Sequence, residues 1–540
     1  MLPVLALAVV AAHGSGDLWP HLLRYVLPNA LTETGLFLLG VGVVVLLVGT
    51  STAWLVSMYQ FPFRRLLSWA LLLPLAMPGY IAAYAYLDVL HPVGPVQSAL
   101  RAALGITDPR GLTLPDIRSL GGCILVLGLV LYPYVYLSAR TAFAIQAADS
   151  LWAARSLGAS GFTLFRHIGL PMARPALAVG LSLALMEALN DVGASEFLGV
   201  RTLTVLIYVT WLTRGSLEGA AQIALLLVGL VVVLLSLERW GRKQYGFIGD
   251  VRPYDSIVLT GARAAFATAT CALPIAFGFL VPASHLMVKA WERVAVFGLP
   301  AELGTWIANS AWFASWAALA TVACGLVLAF VARVGHGGIF LRLGTMGYAL
   351  PGGVAAVGLI IALGTLDDGL GALWHMVSDA PLRWTALGSG VALILAYVMR
   401  FLAIPAAGLD AAYARLGTDY DNAARGLGCH SGRLLRSIHL PLLTWPLGAA
   451  ALLVFIDAMK ELPATLLLRP VNVETLATAL YGEAVRGTYE EGAVAALALV
   501  FVAMLAAALL APLETRARRG VDRRLSDPAP QPDGLLRQSG

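Results

Sequence analysis

Apolar residues fall along this chain in long runs, with no alternation of the kind a half-buried strand requires. The runs at 36–56, 66–87, 120–137, 220–237, 311–331, 387–399 and 493–511 mostly approach the roughly 20 residues that an α-helix needs to cross the hydrocarbon core of a bilayer. Less uniform apolar segments lie at 3–12, 171–188, 262–282, 346–363 and 440–459. Together they predict about twelve membrane-spanning helices, six in each half, and an all-α polytopic membrane protein. Helices rather than barrel strands follow because a helix satisfies its own backbone polar groups within one segment. Pro74, Pro78, Pro133, Pro351 and Pro405 sit within or beside these spans, where each removes a backbone donor and invites a bend.

Composition strengthens this reading. Of 540 residues 59% are hydrophobic and 12% charged, and the mean hydropathy is +0.80, leaving too little polar surface to cover a water-soluble globule of this size. The net charge of +5 is a topology signal: with loops assigned to alternate sides, roughly two-thirds of the Lys and Arg fall on one side, which the positive-inside rule makes the cytoplasm. That side holds Arg64 and Arg65, the linker from Arg239 to Arg263 and the tail from Arg516 to Arg524, so the carboxyl terminus is expected in the cytoplasm. No basic face of a soluble domain is present, which excludes a nucleic-acid partner. The first apolar segment is short and lacks the basic flank of a cleavable signal, predicting a clipped first helix or a short re-entrant or tilted element. The four cysteines carry no CxxC spacing, and neither a metal site nor a catalytic cluster is assigned.

The chain repeats itself. Ala153-Ala154-Arg155-Ser156-Leu157-Gly158, followed by Ile168-Gly169-Leu170-Pro171, returns 270 positions later as Ala423-Ala424-Arg425-Gly426-Leu427-Gly428 with Ile438-His439-Leu440-Pro441. Both copies fall on the cytoplasmic side. Each predicts a short helix ended by a glycine in the left-handed conformation, then a basic stretch, then a proline that starts the next span at little cost. This divides the chain into a first membrane repeat at 1–250, a second at 251–515 and a basic tail at 516–540 whose composition predicts disorder.

The repeated stretch resembles the EAA-type motif of importer-type ABC transporter permeases: Glu-Ala-Ala, a spacing, Gly, then Ile-x-Leu-Pro. Trp152 and Asn422 stand where that family has Glu. Ala153, Ala154, Gly158, Leu170 and Pro171 match, as do Ala423, Ala424, Gly428, Leu440 and Pro441. The resemblance implies two tandem type I permease repeats in the bacterial cytoplasmic (inner) membrane, with both loops docked on a cytoplasmic ATPase. Two loops imply two copies of that ATPase, and an extracytoplasmic (periplasmic) binding protein would deliver the cargo. The chain cannot be the ATPase: a Walker A loop needs Gly-Lys followed by Ser or Thr, and Lys243, Lys289 and Lys460 are followed by Gln244, Ala290 and Glu461. It is therefore expected to bind no cofactor itself and to have no enzymatic activity, with ATP and magnesium on the partner ATPase.

Two further stretches, Met186 to Val200 and Lys460 to Pro470, resemble the fused permeases of ferric iron ABC importers; the two-motif architecture is also similar to thiamine permeases. Glu187, Asn190 and Asp191 share one helical face, as do Asp457, Lys460 and Glu461, at the same 270-residue offset. Ionisable groups in a membrane span mark a path, a gate or a pair. Three roles stay open for these six residues: contact with a passing cation, compatible with the hard oxygen ligands that ferric ion prefers; a gate; or a salt bridge between repeats, such as Lys460 with Glu187 or Asp191. Glu196, Arg201 and Arg469 are expected outside the membrane, against a binding protein or neighbouring loops. The alternative from another class is a gradient-driven secondary transporter, which has no need of duplicated cytoplasmic docking loops.

Overall fold

The computed structural model describes residues 2–106, 108, 111–112, 114–145, 154–242, 257–335, 338–345, 347, 350–378 and 385–505. Trp152, Ala153, most of the linker and the tail at 516–540 lie outside them. Eight helices in the described residues are long and apolar enough to cross a bilayer: Leu18–Met58, Leu120–Phe143, Gly161–Asn190, Leu217–Gly241, Gly261–Phe297, Leu303–Val334, Gly352–His375 and Ser431–Met459. Two bent pairs, Arg64–Ala76 with Gly79–Val89 and Val391–Phe401 with Ala403–Ala414, add two more segments. With the short Leu2–His13 helix and the helix at 489–505, each of the twelve apolar segments read from the sequence contains helix among the described residues.

Two expectations need correction. Residues 66–87 do not form one continuous helix, because the chain turns by 91° between Ala76 and Gly79. Pro74 lies in a 3-10 turn and Pro78 takes an extended conformation at the cap of the next helix, so the backbone cannot carry the helical ladder across them. Conversely, Pro171 and Pro441 do not start their spans. Each lies inside a continuous helix, Gly161–Asn190 or Ser431–Met459, directly after a π-helical turn at Phe165–Gly169 or Leu435–His439. The same arrangement precedes Pro28 and Pro282, after π turns at Leu22–Val26 and Ala276–Leu280. A π turn widens the helix where a proline ring would otherwise strike the preceding carbonyl, so four prolines are absorbed without ending the rod.

The halves embrace one another. The Leu2–His13 helix packs on Gly352–His375 of the other half, while Val281–Phe297 packs on Gly79–Val89. Tyr86 donates to the Phe277 carbonyl at 2.5 Å across that second contact, and the linker's far end pairs Ile257 and Val258 in parallel with Tyr59 and Gln60. Within the first half, Leu120–Ile145 packs between Leu27–Met58 and Leu170–Asn190. Gly180 permits this close approach: a Cβ there would lie 2.8 Å from the Val135 Cα and 2.9 Å from the Tyr134 carbonyl oxygen. Gly180→Val is therefore expected to cost about 1–3 kcal/mol by overpacking and to lower the thermal midpoint of the purified protein in detergent. Gly229→Val, with nothing within 4 Å of the added carbon, is expected to stay within about 0.5 kcal/mol.

Candidate translocation cavity and repeated loops

The six ionisable and amide residues singled out in the sequence line one open cavity at the junction of the two halves. Each trio ends a long helix: Glu187 and Asn190 close Leu170–Asn190, and Asp457 lies in the last turn of Leu440–Met459. Asp191 and Glu461 then cap short helices. The Asp191 carboxylate accepts from the Ala194 amide at 2.9 Å, starting Val192–Phe197. Glu461 accepts from the amides of Ala464 and Thr465, each at 3.1 Å, within Pro463–Leu468. A side-chain oxygen satisfying the first amides of a helix is ordinary capping chemistry, which assigns these two acids a structural part.

The sequence missed Arg400. It is buried, donates to Glu461 at 2.7 Å, and its guanidinium lies 3.8 Å from Glu187 of the other half. The cross-repeat bridge expected from Lys460 is thus made by Arg400, while Lys460 pairs with Asp457 of its own helix at 2.9 Å. Glu187, Asp457 and Lys460 keep about a quarter of their side chains accessible. Val130, 270 positions before Arg400, also lines the cavity, so the first half supplies no corresponding cation. A lone Arg at the end of the apolar stretch 391–401 is the signal that could have found it, since such residues are costly in a membrane and usually paired.

Two helix N-termini face the cavity from corresponding positions, Gly79–Val89 after Pro78 and Gly352–His375 after Pro351. Helix N-termini attract anions, and both are already served by the chain itself. Asn190 accepts from the Gly352 amide at 2.7 Å, and an Asp191 oxygen would lie 2.1 Å from a Cβ added at Gly79. Further bonds knit the halves around the cavity: Tyr80 donates to the Lys460 carbonyl at 3.2 Å and Tyr208 to the Pro463 carbonyl. Tyr481 donates to Glu196 at 2.6 Å. Arg469 reaches the Val473 carbonyl at 3.1 Å and pairs with Glu474, and the Arg201 amide donates to Glu33 at 2.8 Å, so of the three outer residues Arg469 contacts a neighbouring loop, while Glu196 and Arg201 contact the helices Leu476–Arg486 and Leu27–Met58.

The loop residues lie toward the opposite ends of the same long helices, about 40 Å from the cavity at the helix starts and about 25 Å at Leu170 and Leu440, at 1.5 Å per residue. Gly158 and Gly428 have φ of +83° and +76°, the left-handed conformation that ends a helix. In the first loop the described residues begin at Ala154, which is half-buried; in the second, Ala424 is buried and Ala423 exposed on Asp419–Gly426. Leu170 and Leu440 follow the π turns, ahead of Pro171 and Pro441. Beside each glycine a leucine stands clear of the protein, Leu157 at 88% and Leu427 at 89% exposure.

Arg400→Met leaves Glu461 as a buried charge without its cation, and is expected to destabilise the protein by roughly 3–5 kcal/mol. Arg400→Met combined with Glu461→Gln is expected to recover part of that loss, as measured by thermal unfolding of the purified chain.

Comparison with known proteins agrees with this architecture. A model of the binding-protein-dependent transport system inner membrane component family matches residues 46–241. The chain is similar to the Fe(3+)-transport system permease protein FbpB 2 of Haemophilus influenzae, 23% identical over 89% of this chain and 88% of that one. It is 26% identical to the probable ABC transporter permease protein y4fN of Sinorhizobium fredii, over 89% of this chain and 85% of the relative. The sulfate transport system permease protein CysW of Escherichia coli is 30% identical over 36% of this chain and 67% of its own length. Eight to ten apolar spans among the described residues, a duplicated loop and a charged cavity between two halves accompany these matches, and the chain belongs to the family of binding-protein-dependent transport system inner membrane components, as a multi-pass permease.

Proposed function

We propose that this permease imports a cation, ferric iron, by opening the cavity alternately to the two sides of the membrane, driven by two copies of a cytoplasmic ATPase and loaded by an extracytoplasmic binding protein. The observation that carries this reading is the charge of the cavity. Glu187, Asp191, Asp457 and Glu461 face Arg400 and Lys460 there, so carboxylates outnumber cations by two. Glu187, 3.8 Å from Arg400, and Asp457, paired with Lys460 at 2.9 Å, are the acids whose oxygens stay partly accessible to a passing ion, and hard oxygen ligands suit ferric ion. The relative named for Fe(3+) transport matches nearly the whole chain, which favours iron over an organic cation such as thiamine.

An oxyanion, as the name of the sulfate relative would suggest, fits less well. The two helix N-termini that could hold it are occupied by Asn190 and Asp191. An entering anion would have to displace a carboxylate while facing an excess of negative charge.

Leu157 and Leu427 support the ATP-driven part. Two apolar side chains, each at the tip of a polar loop on the basic side of the protein, offer matched contacts for two copies of one partner. With these loops inside, the carboxyl terminus is cytoplasmic as well. The chain's own part in each cycle is then mechanical: loops displaced by the ATPase move the long helices that end at Glu187 and Asp457, and the cavity opens on one side as it closes on the other.

The test is uptake of radioactive ferric iron into proteoliposomes holding the permease with its cognate ATPase and binding protein. Glu187→Gln with Asp457→Asn is expected to lower uptake about tenfold or more, each charge-assisted contact being worth about 1.5–3 kcal/mol, while the ATPase still co-purifies. Unchanged uptake would reduce these two acids to packing. Gly158→Pro with Gly428→Pro, which cannot adopt positive φ, is expected to abolish ATPase co-purification; continued binding would contradict the docking role.

A further inference from the structure

The second cytoplasmic loop is held by a buried ionic junction centred on Asp421. This residue lies in the loop helix Asp419–Gly426 and is only 6% exposed. One carboxylate oxygen accepts from Arg333 Nε at 2.8 Å and the other lies 2.9 Å from His439 Nε2. Arg333 stands in the last turn of Leu303–Val334. It also donates to the carbonyls of Tyr413 at 3.2 Å, Leu416 at 2.9 Å and Gly417 at 3.1 Å, closing the end of Ala403–Arg415. His439 Nδ1 is 3.2 Å from the Tyr413 hydroxyl. A neutral imidazole with its proton on Nε2 satisfies every partner: it donates to Asp421 and accepts from Tyr413.

This junction joins the loop to three membrane segments at once. Two of them run back to the cavity. From His439 the helix continues to Met459, reaching Asp457 after about 27 Å at 1.5 Å per residue; Glu461 follows that helix. Ala403–Arg415 follows Val391–Phe401, which carries Arg400. The helices leading to both members of the Arg400–Glu461 pair are therefore tied at their loop ends by one junction: Asp421 meets His439 directly and reaches Ala403–Arg415 through Arg333, and that helix joins Val391–Phe401 across a bend of 43°. The first loop cannot be held this way. Its residues at the same offset are Leu151 and Gly169, and the Trp54 indole packs against Gly169 between Phe143 and Phe165.

We propose that Asp421 is a positioning residue that makes the second loop, its flanking spans and the Arg400–Glu461 pair one lever, so that the two loops transmit force through different chemistry, ionic in the second half and aromatic in the first. The proposal rests on the ATP-driven reading above. It goes beyond that reading in assigning coupling to a residue outside the repeated motif, next to Asn422 where the motif's acid is replaced.

The experiment compares Asp421→Asn with the unaltered permease, assembled with its ATPase and binding protein in proteoliposomes, recording ATPase co-purification, ATP hydrolysis and ferric iron moved per ATP. The substitution keeps size and removes charge. Co-purification and hydrolysis are expected to persist, while iron moved per ATP falls about fivefold or more, the lower end of a typical coupling between sites. Arg333→Gln is expected to give the same uncoupling, and the double variant to be no worse than either single one, as members of one junction should be. His439→Gln, which leaves the Asp421–Arg333 pair in place, is expected to uncouple partially and serves if Asp421→Asn does not fold. Unchanged iron per ATP in these variants, or a proportional loss of assembly, hydrolysis and transport together, overturns the proposal. An unaltered permease that moves iron without any ATPase overturns the ATP-driven reading, and the proposal with it.

Discussion

Everything at the centre of this molecule depends on one buried contact, the Arg400 guanidinium held against Glu461 and facing Glu187 of the other half. Two carboxylates and a guanidinium in a membrane interior are tolerable only as a group, because removing a partner leaves an uncompensated charge where water cannot reach it. The surrounding geometry serves that requirement. Asp191 and Glu461 are absorbed as helix caps, Asn190 satisfies the first amide of the opposite half, and Lys460 takes Asp457. With Arg400 on Glu461 and Lys460 on Asp457, the acids left without a close cation are Asp191, held as a helix cap, and Glu187, which stays partly accessible.

The same constraint links the cavity to the repeated loops. The helices that end at Glu187 and Asp457 begin about 40 Å away at the repeated loops and pass through a proline without breaking. In each, a π turn directly before Leu170 or Leu440 supplies the extra room. A rod that stays continuous transmits displacement, whereas a rod broken at Pro171 or Pro441 would hinge. Where the chain does break, at Pro78 with a turn of 91°, it turns a helix N-terminus toward the cavity.

Much of this was legible in the sequence. Apolar run length gave the membrane class and the twelve segments, and the 270-residue offset paired Glu187 with Asp457 and Asp191 with Glu461 before any coordinates placed them around one cavity. Three features were not legible, each for a physical reason. Arg400 lies at the end of a short apolar run, and its partners are 61 residues away at Glu461 and in the other half at Glu187. Helical spacing cannot show such a contact. The break at Pro78 and the continuity at Pro171 both involve prolines, and the difference between a broken helix and one relieved by a π turn lies in the surrounding packing. The Asp421 junction joins residues from three segments, and the first half offers no copy of it to reveal the pattern.

The account turns on one cavity being reached from opposite sides in turn. The direct measurement is thiol accessibility at Glu187→Cys, with Cys123, Cys271, Cys324 and Cys429 replaced, in proteoliposomes that also hold the ATPase and the binding protein. A membrane-impermeant reagent is added from one side and then the other, with and without a non-hydrolysable ATP analogue. The account predicts reciprocal labelling: reactive from the cytoplasmic side without nucleotide and from the outer side with it. Reactivity from the same side in both states would contradict it.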